Sequence, residues 1–135
     1  MSPAAWLARS LDDALGNARK VTEVTHDHPE GLKGAAAAVH AIVLAREGAP
    51  PESIRQAIAA RYGNYMDRMV GCALEASSFE DAIRNAISLG GDSDTLAAIA
   101  GPVAEARFGI PADIAARGRA YLPEEMRRVL DALYA

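Results

Sequence analysis

The chain has 135 residues, half of them apolar and 24% charged, a size and balance that suit a single domain over residues 1–135 and exclude a disordered tail or a fibrous repeat. Fourteen basic against eighteen acidic side chains leave a net charge of −4, so nothing favours a grip on a phosphate backbone and no nucleic acid is expected as a partner. Alanine occurs thirty times, against eighteen for valine, isoleucine and threonine together, which points to an all-α helical bundle.

Turn and capping residues divide the sequence into about seven helical stretches. Ser10 reads as an N-cap, with Asp12 and Asp13 in the first turn and a stripe of Leu11, Leu15, Ala18 and Val21, so a first helix is expected to run to about Val24. After a loop from Thr25 to His28, Pro29 suits the first position of a helix that continues through Ala45 and stops at Gly48. Every residue from Ala35 to Ala45 except His40 is apolar, the signature of a central helix wrapped on all sides. Pro50 and Pro51 open the next helix, which ends at Tyr62 and Gly63. Asn64 to Ala76 is also read as helical despite Gly71, with Tyr65, Met66 and Met69 as packing residues. Ser78 caps a helix from Phe79 to Leu89 that Gly90 and Gly91 end. Another starts near Ser93 or Asp94 and closes at Gly109, and two short helices follow Pro111 and Pro123.

No uninterrupted apolar run is long enough to cross a bilayer, so no membrane partner is expected. Cys72 is the single cysteine and cannot form an internal disulfide, and the first fifteen residues lack the charged-then-apolar order of a signal peptide. The expected location is therefore the cytoplasm.

Two segments carry candidate chemistry. In Gly90-Gly91-Asp92-Ser93-Asp94-Thr95, two glycines permit left-handed backbone, so one helix can stop and the next begin almost at once. Asp92, Asp94 and Thr95 then place two carboxylates and a hydroxyl within four residues, a hard-oxygen set suited to Mg²⁺ or Ca²⁺. The spacing is not that of an EF-hand. The same residues also read as a plain helix start, with Ser93 as N-cap and the acids set against the macrodipole. The second segment is Thr25-His26-Asp27-His28-Pro29-Glu30-Gly31. Zinc finds too few partners there, since only Cys72 and His40 remain as nitrogen or sulfur donors. Asp27 and His28 could simply cap a helix, or the loop could form a polar rim for an anion at a helix amino end. His40 reads as a satisfied core or interface histidine and Cys72 as a small buried hydrophobe.

Together, THDHPEGLKGA (25–35) and FEDAIRNAISLGGDSDTLAAIAGPVAEARFGIP (79–111) resemble the carboxy-terminal half of the ADP-ribosylglycohydrolase family, the enzymes related to dinitrogenase reductase-activating glycohydrolase. The likeness runs in family order from Ser2-Pro3 to Tyr121-Leu122-Pro123. It implies an all-α fold and Mg²⁺-dependent hydrolysis of ADP-ribosyl bonds. It also implies that Asp92, Asp94 and Thr95 are metal ligands, and that His26, His28, Glu30, Gly90, Gly91 and Ser93 belong to the substrate cleft and its supporting turn. Val70 to Leu74 depart from the family pattern, which has a Val-Pro turn there.

By the same resemblance, the remaining metal ligands, a Thr-Asp-Asp cluster and an acid near a Gly-Asp-Ala motif, belong to an amino-terminal half that this chain lacks. Two hard cations need more oxygen donors than two aspartates and a threonine offer. A hydrolase site would then be completed by a second copy in a homo-oligomer, a dimer in the simplest case, or by a separate chain carrying that half. The stretch Ala35 to Ala45 asks for more cover than about seven short helices supply, which also favours association. The alternative is a truncated, non-catalytic homo-oligomeric helical protein, or a module that binds ADP-ribose or a metal.

Overall fold

A computed structural model describes residues 2–135, and for residues 64–69 it describes the backbone alone. Tyr65, Met66 and Met69, expected to pack, therefore lie outside the described side chains. The described residues form nine helices and no strand: α1 (Ser2–Trp6), α2 (Leu11–Thr22), α3 (Pro29–Arg46), α4 (Pro51–Tyr62), α5 (Asn64–Glu75), α6 (Phe79–Ser88), α7 (Ser93–Phe108), α8 (Ala112–Ala120) and α9 (Glu124–Leu133). The all-α reading holds, with more helices than the expected seven. No helix is long and apolar enough to cross a membrane among the described residues.

The local signals act as the sequence suggests at two helix starts. Ser10 Oγ accepts from the Asp13 amide at 3.1 Å, and Ser78 Oγ accepts from the Asp81 amide at 3.1 Å. Asp81 completes the second cap, its Oδ2 accepting from the amide and hydroxyl of Ser77 at 2.8 and 3.0 Å. Those bonds hold its carboxyl below the usual carboxylate range. Ser78→Ala leaves the Asp81 amide without its side-chain partner and is expected to cost about 1 kcal/mol, read as a lower urea midpoint at unchanged m-value. An unaltered midpoint would mean that water replaces the hydroxyl at no cost.

α2 ends at Thr22 rather than Val24. The Thr22 hydroxyl bonds back to the Ala18 carbonyl at 2.7 Å, and the Thr22 carbonyl accepts from the amides of Thr25 and His26 at 3.1 and 2.8 Å. These turn bonds close the chain before another helical turn can form.

The apolar stretch in α3 is the hub. Nine of the eleven residues from Ala35 to Ala45 are buried, and α3 packs against α1, α2, α4, α5 and α7. Burying Ile42, which is 1% exposed, is worth about 1.5–3 kcal/mol by transfer alone. The cover that this stretch demands thus comes from within the chain, and α3 offers no apolar face to a second copy. α6 and α7 also pack on each other, and a Cβ on Gly101 of α7 would meet Ile83 Cδ1 of α6 at 3.5 Å, an ordinary contact distance. Pro102 lies inside α7, and tertiary packing overrides the roughly 3 kcal/mol it costs a helix interior.

α1, which no cap or stripe announces, is held from outside. Ala5 is fully buried, its carbonyl accepts from Arg46 Nη1 at 2.5 Å, and the Arg46 guanidinium lies 4.8 Å from the Trp6 ring centroid. Arg107 Nη1 likewise donates to the Ala73 carbonyl and, at 2.9 Å, to the Leu74 carbonyl, serving carbonyls that the end of α5 leaves without helical partners. By contrast, α8 and α9 bury no residue. Arg119–Asp131 at 2.5 Å joins the two to each other, and Tyr134 Oη, just after α9, donates to Glu105 of α7 at 2.5 Å.

His40 is in the core, but it is not satisfied. Its Nδ1 and the Tyr62 hydroxyl are buried without hydrogen-bond partners, the two rings meeting edge to face at 5.8 Å. Burial, helped by Arg61 and opposed by Glu47, lowers the His40 pKa below its ordinary 6.5. The unfolded chain then takes up a proton that the folded chain refuses, so stability is flat above that value and falls as the pH drops through and below it. His40→Leu is expected to shrink the loss of urea midpoint between neutral pH and about pH 5. The same loss in both proteins would place the acid sensitivity elsewhere. Cys72 is half-buried and packs on the core, and burial raises its thiol pKa, which fits a packing residue rather than a thiolate.

Candidate functional site

The turn between α6 and α7 is built from backbone outward. Gly90 and Gly91 have φ of 70° and 66°, the left-handed region that a β-carbon disfavours, and the Gly90 amide donates to the Ile87 carbonyl at 3.1 Å. Two left-handed residues in succession turn the chain sharply, and α7 begins only two residues later. Asp92 occupies the N-cap position without a side-chain capping bond, while its carbonyl accepts the first helical bond from the Leu96 amide at 3.1 Å. Ser93 is the first helical residue, as the expected start near Ser93 or Asp94 has it, so within the plain helix-start alternative the cap position falls to Asp92 and not to Ser93.

The Asp94 carboxyl is held below the usual carboxylate range, first by a side-chain hydrogen bond with Asp92 and then by the backbone amides of Thr95 and Asp94 itself. Gly90, Gly91, Asp92, Asp94 and Thr95 are exposed and Ser93 is half-buried. Among the described residues, no three His, Cys, Asp or Glu side chains come together as a metal centre would need. The donor chemistry therefore fits a portion of a hard-cation site, with its open side toward solvent.

The histidine loop is equally open, with His26, His28 and Glu30 exposed. His28 is the N-cap of α3, its Nδ1 accepting from the Glu30 amide at 3.3 Å, so the capping alternative holds for His28. His26 Nδ1 pairs with the Thr25 hydroxyl at 2.8 Å, and a Cβ on Gly31 would stand 3.4 Å from the His26 Cβ and carbonyl. Glu30 and Lys33 form an exposed ion pair at 3.8 Å. The two segments open α3 and α7, helices that pack on each other, but no hydrogen bond or ion pair joins them among the described residues.

A cavity of about 660 Å³ lies elsewhere, lined by residues of α1, α6, α7, α8 and α9 that include Trp6, Glu105 and Tyr134. None of its lining residues belongs to either segment. Sequence reading missed it because its walls come from five separate elements, none of which carries a local motif.

Residues 63–135, more than half of the chain and including the double-glycine turn, match the family model described as ADP-ribosylglycohydrolase. The histidine loop lies outside that match. No curated protein and no solved structure matches the chain.

Proposed function

Because the chain belongs to the ADP-ribosylglycohydrolase family, we propose that it supplies the later metal-binding turn of a Mg²⁺-dependent site that hydrolyses ADP-ribosyl bonds, completed by groups from outside these 135 residues. The observation that carries this reading is the placing of Asp92, Asp94 and Thr95 together on the exposed Gly90-Gly91 turn at the start of α7, inside the matched region. Asp92, Asp94 and Thr95 would hold the cation, offering fewer than the roughly six oxygens of an octahedral shell. When bound, Mg²⁺ neutralises oxygen charge and polarises the bonds it touches. Gly90 and Gly91 fix the two carboxylates on one short turn, and Ser93 starts the helix behind them. His26, His28 and Glu30 would form a polar rim at the amino end of α3, where the helix dipole favours an anionic group of an ADP-ribosyl substrate. The remaining ligands would come from a second copy or a separate polypeptide, and exposed apolar side chains such as Leu7 and Val21 (67% and 55% exposed) would serve that association.

The test is release of ADP-ribose from an arginine- or serine-modified peptide by the purified chain in its native assembly, with Mg²⁺ present and then removed by chelation. Release that depends on Mg²⁺ supports the reading. The exposure of Asp92, Asp94 and Thr95 favours a second reading, a non-catalytic module that binds ADP-ribose or a cation. That module would show no turnover, yet its thermal midpoint would rise with Mg²⁺ and ADP-ribose, since a ligand of the native state stabilises it. Absence of both effects would leave a structural helical protein.

A further inference from the structure

The cavity of about 660 Å³ between α8, α9 and the bundle has the volume of small-molecule sites, and its walls, open to solvent on one side, are mostly apolar. Trp6, Phe79 and Tyr134 place three aromatic rings around it, and Ile114 and Leu130 add aliphatic surface. The acid on the wall is Glu105, half-buried on α7. Its Oε1 accepts from the Tyr134 hydroxyl at 2.5 Å, and its Oε2 has no partner among the described residues. Arg119 also lines the cavity, but it is paired with Asp131 at 2.5 Å.

A half-buried carboxylate with an open oxygen gains most from a charged donor. Aromatic faces attract cations as well, and Trp6 already carries the Arg46 guanidinium at 4.8 Å from its centroid. Burial together with Glu105 pushes the Tyr134 pKa up to about 12, in keeping with a negative group at that end, although Tyr134 itself is 59% exposed. Neutral ligands would leave Glu105 Oε2 unpaired, and anions would face it directly.

We propose that this cavity binds a small organic cation, an ammonium group on an aromatic or aliphatic body, with the ammonium on Glu105 Oε2 and the body against Ile114, Leu130 and the aromatic walls. This site is independent of the metal-binding turn. Trp6 is the single tryptophan of the sequence and lines the cavity, so its fluorescence reports occupancy directly.

The experiment titrates the purified chain with phenethylamine, 2-phenylethanol and 3-phenylpropionate, which are similar in size and differ in charge. The expected result is a saturable Trp6 response to the amine, at least about tenfold weaker binding of the alcohol, and no response to the acid. Glu105→Gln should remove the preference for the amine while the far-ultraviolet circular dichroism stays helical. Gly118→Leu serves as a second variant, since a Cβ at this cavity-lining position meets nothing within 4 Å; it should fill the space and abolish the response. No saturable signal, equal affinity for all three probes, or an unchanged preference in a folded Glu105→Gln protein would overturn the proposal.

Discussion

Ile42→Ala is expected to lower the unfolding free energy by about 2–5 kcal/mol, the range for removing a large aliphatic side chain from a close-packed core. Ile42 is 1% exposed in the helix that contacts five others, so the cavity left behind has little chance to collapse. Three of its neighbours on α3, Ala38, Ala41 and Ala45, are alanines, which cannot swing in to fill the space. The measurement is urea unfolding at neutral pH, with the m-value unchanged if only stability is altered. Val24→Ala, at a position 80% exposed, is the control and should stay within about 0.5 kcal/mol. A loss below about 1 kcal/mol for Ile42→Ala would mean that α3 is not the hub of the core.

Asp94→Ala is expected to reduce Mg²⁺-dependent release of ADP-ribose by at least about 100-fold in the native assembly, because losing even an outer-shell partner of a metal ligand costs 10–100-fold. Stability should change by no more than about 1 kcal/mol, since the residue is exposed and its structural share is a helix-dipole interaction. Raised Mg²⁺ should restore part of the rate if the loss is one of metal affinity. Asp113→Ala removes another carboxylate from a helix first turn, one whose side chain is 76% exposed and ion-paired with Arg117, and should leave the rate unchanged. Activity within about threefold of the parent for Asp94→Ala would remove this turn from the reaction.

How far the fold was legible depended on whether each signal was local. Ser10 and Ser78 announce their helices because a hydroxyl and an amide three residues apart are set by the chain itself. The run from Ala35 to Ala45 announces a central helix because no amphipathic arrangement can hide so many apolar residues. α1 was invisible for the opposite reason: its five residues hold their place through Arg46, forty-one positions from Ala5. Ser93 misled because the residue before it, Asp92, takes the cap position and Ser93 is the first helical residue. The need for cover around α3 was legible, but not that five helices of the same chain provide it.

The candidate site was legible to the same degree. Residue types at 92, 94 and 95 state an oxygen-donor chemistry, and the positive φ angles of Gly90 and Gly91 were foreseeable from the pair itself. Exposure was not, because it depends on what else packs over the turn. The Glu105 cavity had no sequence signal at all, since Trp6 and Tyr134 meet across it from opposite ends of the chain.

Paramagnetic line broadening by Mn²⁺, a hard-oxygen surrogate for Mg²⁺, tests the account most directly, using the backbone amide resonances of the chain. The account predicts that amides from Gly90 to Leu96 broaden first and that Asp92→Ala with Asp94→Ala abolishes this. Broadening that spreads evenly over exposed acids such as Glu124 and Glu125, with Gly90 to Leu96 unaffected, would contradict it.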